Sequence, residues 1–183
     1  MSNVHVLNFQ QALNRPDLIS PSVAKLLRNW NGSTSVQKFL VAEIDPSAAG
    51  GNDFCARYNI PTQEGANCVI IEAVRGETRT LAACLAPVNF KIDFNGVVRK
   101  TLNARRVSLA PLDEVLRETA MEYGSVTPVG LPMDWPILID ERIVSESRII
   151  VGSGLVRAKL SLPGKALMEL PGAQVINSLA ISM

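Results

Sequence analysis

A chain of 183 residues with 47% hydrophobic and 19% charged side chains has enough apolar material for one packed core and too much for a disordered polymer. Its formal net charge of +1 gives no global field to draw nucleic acid, so any phosphate contact must come from a local patch. Three cysteines, Cys55, Cys68 and Cys84, fall on no metal-ligand spacing, and their odd number argues against a disulfide framework.

Taken in chain order, residues 1–19 have mixed polarity and read as a loosely attached arm or a short helix, ahead of a single domain over residues 20–183. No signal-peptide pattern opens the sequence, and no run approaches the roughly 18 apolar residues of a membrane span, so a cytoplasmic setting is expected. A helix is predicted over Ser20–Trp30, with Ser20 as cap, Pro21 in the first turn and Val23, Leu26, Leu27 and Trp30 at helical spacing. Val36–Ile44 reads as a strand, and a short helix around residues 50–60 is closed by Pro61. Asn67–Pro87 reads as two apolar strands in a hairpin about Gly76, with a loop on the five-residue scale. Phe94–Ala104 is predicted as a helix, Arg105–Ala110 as a short strand and Pro111–Met121 as a helix with acids in its first turn. Apolar strands follow at "WPILID" and "SRIIVGSG", "RAKLSL" alternates like a half-buried strand, and "PGKALMEL" returns to helical character. The expected fold is mixed α/β (α+β), with strands outnumbering helices and some antiparallel pairing.

The only histidine, His5, lies in the N-terminal segment, which removes most metal sites and any triad with a histidine base. No phosphate-binding glycine loop or dinucleotide fingerprint occurs, so neither a nucleotide cofactor nor a metal is expected. Cys84 and Cys55 read as small buried hydrophobes, whereas Cys68 opens a strand and is a candidate rim thiol without a base. Arg99, Lys100, Arg105 and Arg106 are either a solvated face or a phosphate patch, which Arg148, Arg157 and Lys159 would extend. The loop from Glu122 to Pro136 holds two glycines and three prolines. Glycine opens backbone angles closed to other residues and proline fixes its own, so Gly124–Pro128 can hold N–H and C=O groups outward. Such groups bind a carbonyl oxygen or orient a water; the alternative is a tight connection between helix and strand.

The order of Gly124–Pro128, Gly130, Asp140 and Gly152–Ser153–Gly154, with "LAACLAP" and a basic segment before them, resembles the YbaK/prolyl-tRNA-synthetase-associated domain family over about residues 20–172. These are trans-editing aminoacyl-tRNA deacylases. The resemblance implies a curved mixed central sheet flanked by helices, and hydrolysis of the ester joining a mischarged amino acid to the terminal ribose of tRNA. It implies that Gly124, Ser125, Val126, Thr127 and Pro128 act through their backbone, and that Gly130, Asp140, Gly152, Ser153 and Gly154 bind substrate. Arg99, Lys100, Arg105 and Arg106 would hold tRNA, with an aminoacyl-tRNA synthetase as a second expected partner. One position departs from the pattern: the family lysine at the start of the hairpin falls on Cys68, with Asn67 before it. A thiol cannot supply a fixed positive charge. Two further readings therefore stand beside the deacylase: a non-catalytic aminoacyl-, tRNA- or protein-binding module on the same scaffold, and a hydrolase or redox sensor using Cys68.

Overall fold

The computed structural model describes residues 6–183, so His5 lies outside the described residues. Strand β1 (Gln10–Gln11) pairs antiparallel with β2 (Leu40–Glu43). Between them Ala12, Leu18 and Ile19 are buried in the main core, which corrects the expectation of a loose arm. Their spacing, interrupted by a turn at Pro16–Leu18, follows neither helical nor strand period, so the apolar positions left no pattern to read.

Helix α1 (Pro21–Arg28) forms as its sequence dictates. Ser20 Oγ accepts a hydrogen bond from Val23 N–H, Pro21 occupies the first turn, and Val23, Ala24 and Leu27 face inward. Beyond it, Val36–Lys38 is a 3-10 turn and only β2 is extended, a shorter strand than expected. Helix α2 (Gly51–Tyr58) ends at Asn59, whose φ of 53° is left-handed.

The hairpin is confirmed as β3 (Ala66–Arg75) against β4 (Thr78–Pro87), joined by only two residues, Gly76 and Glu77. Gly76 takes φ 60°, which the tight turn needs and the longer expected loop would not. After β5 (Phe90–Ile92), the predicted helix is a π turn at Phe94–Val98 capped by the Asp93 carboxylate, followed by one turn of α3 (Arg99–Thr101). Strand β6 (Arg106–Leu109) and helix α4 (Leu112–Thr119) fall where expected. Next come β7 (Ile137–Asp140), α5 (Glu141–Val144), β8 (Ile149–Gly152) and β9 (Ala158–Leu162). The segment Gly164–Glu169 is 3-10 rather than α, and two unforeseen strands, β10 (Ala173–Ile176) and β11 (Ala180–Ser182), close the described chain.

These strands form two principal sheets. One is mixed, in the order β10-β7-β4-β3-β6, and the other is antiparallel, in the order β1-β2-β9-β8; β5 and β11 make a small ribbon. The main sheets meet where Gly65 bridges Ile150 and Ile150 N–H donates to the Glu64 carbonyl. Phe39, Leu85, Ile137, Ile139 and Leu160 fill one core cluster, while Ile71, Cys84, Leu138 and Leu179 fill another on the opposite face of the mixed sheet. Burial on both faces explains why β4 and β7 read as continuous apolar runs. The expected mixed α/β class holds. Among the described residues, no helix is long and apolar enough to cross a membrane.

Candidate active site

A cavity of about 600 Å³ opens where the two sheets meet. Strand β6 pairs with β3 only over Ile71–Val74, so the edge of β3 at Asn67–Val69 is left to form one wall. Gly50 and Gly51, at the start of α2, form a second wall, and Leu112 and Val115 of α4 a third. Gly124, Val126, Gly152 and Lys159 complete it. Three large apolar or aromatic side chains at this cavity are exposed, Leu109, Leu112 and Tyr123.

The Gly124–Pro128 loop is held in place from below. Gly154 N–H donates to the Ser125 carbonyl at 2.9 Å, Glu122 N–H donates to the Gly154 carbonyl at 2.8 Å, and Ser125 Oγ donates to the Leu155 carbonyl at 2.8 Å. Val156 N–H donates to the Glu122 carboxylate at 2.6 Å. Gly124 has φ 82°, in the left-handed region. Gly152 approaches so closely that a Cβ there would lie 2.4 Å from the Ser125 carbonyl oxygen. The two glycine segments singled out in sequence are thus one clamped unit, with Gly124, Val126 and Gly152 at the cavity.

The other candidates separate. Asn67 and Cys68 both line the cavity, and Asn67 Oδ1 rests against Gly51, where a Cβ would come within 2.3 Å. Ser125, Thr127 and Ser153 are buried; Ser153 Oγ bonds the Leu155 and Ala158 carbonyls. Pro128 is not among the lining residues, Gly130 packs on the Ser22 backbone and Gly154 on the Ser20 side chain. Asp140 is fully buried away from the cavity. Its carboxylate accepts from Arg142 Nη1 at 2.9 Å and from Ala180 N–H at 3.0 Å, tying β11 to the end of β7. Arg99, Lys100, Arg105 and Arg106 are exposed and none lines the cavity; Arg106 lies 3.7 Å from Glu72. Arg148 is paired with Glu64 and Arg157 donates to the Asp17 carbonyl, so neither extends that patch freely.

Burial pushes the Cys68 thiol far above the ordinary thiol range, with Cys84 a secondary cause. A nucleophilic thiolate at Cys68 is therefore disfavoured.

Lys159 is the residue whose position the sequence concealed. It is 7% exposed, its Nζ donates to the Ala49 carbonyl at 2.7 Å, and it lies 5.3 Å over the Phe54 ring. On β9 it stands opposite Gly152 on one side and Ala42 on the other. Burial lowers its ammonium to about 8, partly offset by Cys55. Read as alternating, "RAKLSL" turned Lys159 toward solvent, but α2 covers that face of the sheet, with Phe54 and Cys55 packed near Ile150. The available signal was a charge in the middle of a short apolar strand, where a buried lysine is rare unless it is paired.

The sequence profile of the aminoacyl-tRNA editing domain matches residues 45–170. No curated protein matches the chain. A solved structure described as a candidate trans-editing enzyme for prolyl-tRNA synthetase is similar in fold at a TM-score of 0.69 and 20% identity, covering 87% of this chain and 97% of that one. A scaffold used for computational epitope grafting is similar at 0.70 and 19% identity, with the same coverage, and a hypothetical protein at 0.68 and 21%, covering 78% of this chain and 91% of its own. With the match spanning the cavity walls from α2 to β9, the chain belongs to the aminoacyl-tRNA editing domain family.

Proposed function

We propose that this chain hydrolyses the ester of mischarged aminoacyl-tRNA, acting in trans. The observation that carries the reading is the convergence, on one cavity, of the clamped backbone at Gly124, Val126 and Gly152 with the polar wall at Asn67. An aminoacyl ester entering there meets rigid backbone dipoles, which orient the carbonyl and a water with little reorganisation at the moment of reaction. The exposed Leu109, Leu112 and Tyr123 offer the terminal ribose and base an apolar rest, and Ile70, Val115 and Val126 line a compartment suited to an apolar amino-acid side chain. The exposed cations Arg99, Lys100, Arg105 and Arg106 hold the tRNA backbone in this reading, and the work belongs in the cytoplasm beside a synthetase.

The test is deacylation of tRNAs charged with proline, alanine, cysteine, serine, threonine and valine by purified protein. Release of one or a few amino acids above the spontaneous rate is expected. No release across the panel from folded protein overturns the reading in favour of a binding module, the alternative that Asn67 and Cys68 at the family lysine's position support.

A further inference from the structure

Lysine is almost never fully buried unless paired, because removing an ammonium from water costs several kcal/mol in real proteins. Lys159 is buried on a β-strand at the cavity, yet among the described residues no carboxylate pairs with it; its hydrogen bond goes to the Ala49 carbonyl. An ammonium has three N–H donors, so this bond leaves two for a guest. The neighbours share that design. Both register partners, Ala42 and Gly152, are too small to shield Nζ, and Gly152 is also the residue against which the Ser125 carbonyl is clamped. No acidic side chain lines the cavity, so the charge is uncancelled at the place where the rigid loop presents its backbone.

We infer that Lys159 is the catalytic cation of this site and that it stabilises the oxygen of the scissile ester carbonyl. The inference rests on the deacylase reading. In the step it assigns, a water oxygen bonds to the ester carbon while the carbonyl π pair moves onto oxygen, and the Lys159 ammonium holds that oxyanion by hydrogen bond. Collapse re-forms the carbonyl and breaks the bond to the ribose oxygen. The proton lost by water is balanced by one gained by the ribose oxygen, and the products are the free amino acid and intact tRNA. A phosphate of the tRNA end is the other anion that a lysine could hold. Its depth favours the small ester, since a residue 93% shielded from solvent is reached by the acyl group before the bulkier backbone.

The experiment compares the unmodified protein with Lys159→Met, which keeps the apolar stem and removes the charge. Folding is checked by circular dichroism, and single-turnover rates are measured across pH on a responsive aminoacyl-tRNA. The expected result is a kcat loss of about 10²–10³-fold with KM nearly unchanged, the scale of losing one oxyanion donor. The unmodified rate, corrected for spontaneous hydrolysis, should fall as pH rises through about 8, and that falling limb should vanish in Lys159→Met. Among titratable groups, Cys55 from α2 acts on the Lys159 ammonium, Cys68 from β3 and Tyr123 from the loop before Gly124 line the same cavity, and the register partners on β2 and β8 are Ala42 and Gly152. Tyr123→Phe should retain the limb, which separates the phenol from the lysine. A folded Lys159→Met that keeps its kcat, or that loses only KM, overturns the inference; the second result reassigns Lys159 to a tRNA phosphate. Should Lys159→Met not fold, the limb in the unmodified protein and in Tyr123→Phe decides, and a flat profile overturns it. An inactive unmodified protein removes the deacylase reading itself, a different outcome from an active one indifferent to Lys159.

Discussion

At the scale of single residues, the cavity is built from groups that cost stability. Lys159 is held charged at neutral pH in surroundings that prefer it neutral, since burial lowers its ammonium to about 8 from an ordinary 10.5. A group whose folded pKa lies below its unfolded one penalises folding fully at low pH, and stability rises as pH climbs from about 8 toward 10.5. Lys159→Met should therefore stabilise the protein at pH 7, on the order of 3 kcal/mol, with the gain shrinking across that window. Urea denaturation at several pH values measures it; a gain constant with pH would assign the effect to packing alone. The two glycines answer differently to substitution. At Gly124 the nearest atom to an added Cβ is Val156 Cγ2 at 4.0 Å, so Gly124→Val suffers mainly from the left-handed backbone, about 1–2 kcal/mol, while loop movement removes most of the hydrolysis. At Gly152 the added methyl meets a clamped backbone carbonyl, so Gly152→Ala should cost about 1–3 kcal/mol and activity together. Thermal melts beside deacylation rates separate the two patterns.

At the scale of elements, helix α4 supplies one cavity wall and is tied to the hairpin by charge. Arg79 on β4 donates to both Glu114 oxygens, at 2.8 and 2.5 Å, and to Glu72 on β3 at 2.5 Å. Hydrogen bonding from Arg79 holds the Glu114 carboxyl below its ordinary range. A depressed carboxylate stabilises the fold above its unfolded pKa and loses that contribution as pH falls through the folded one. Arg79→Met should lower the urea midpoint at neutral pH, with the difference from the unmodified protein fading in acid below the ordinary carboxylate range; an equal deficit at every pH would mean that the stem's packing, not the charge, holds α4. The hairpin and α1 were legible because each carries local signals: apolar runs on either side of Gly76 in the hairpin, and Ser20 and Pro21 at the start of α1. What escaped lacks such signals. A 3-10 turn at Val36–Lys38, the π turn at Phe94–Val98 and the 3-10 stretch at Gly164–Glu169 are too short for their periods to be told apart. Strand β10 depends on a parallel partner, β7, more than thirty residues upstream, with Ala173 opposite Ile137. The site divided on the same ground. Gly124 and Gly152 were readable because glycine reports a backbone demand, whereas Lys159 depends on which helix covers β9, a fact of tertiary packing.

Across the molecule as a whole, the proposed hydrolysis of aminoacyl-tRNA would require a protein of net charge +1 to engage a polyanion through a local patch. The four cations at Arg99, Lys100, Arg105 and Arg106 are exposed, and β6 runs from Arg106 to Leu109, whose side chain reaches the cavity. That strand spans on the order of 10 Å at about 3.3 Å per residue, a distance over which a tRNA end could lie in the cavity while its backbone follows the basic stretch. Arg106 is 71% exposed beside Glu72, a pairing worth little in water and open to exchange for phosphate. Each phosphate neutralised releases counterions, so the logarithm of affinity falls with the logarithm of salt by about 0.7–0.9 per contact. Replacing all four residues with glutamine should therefore flatten the salt dependence of tRNA binding by up to about 3.6, with the loss of activity carried by KM rather than kcat. Filter binding across a salt series reads the slope directly. An unchanged slope would remove this stretch from the tRNA path, because no substitution of four contacting cations can leave the number of released counterions the same.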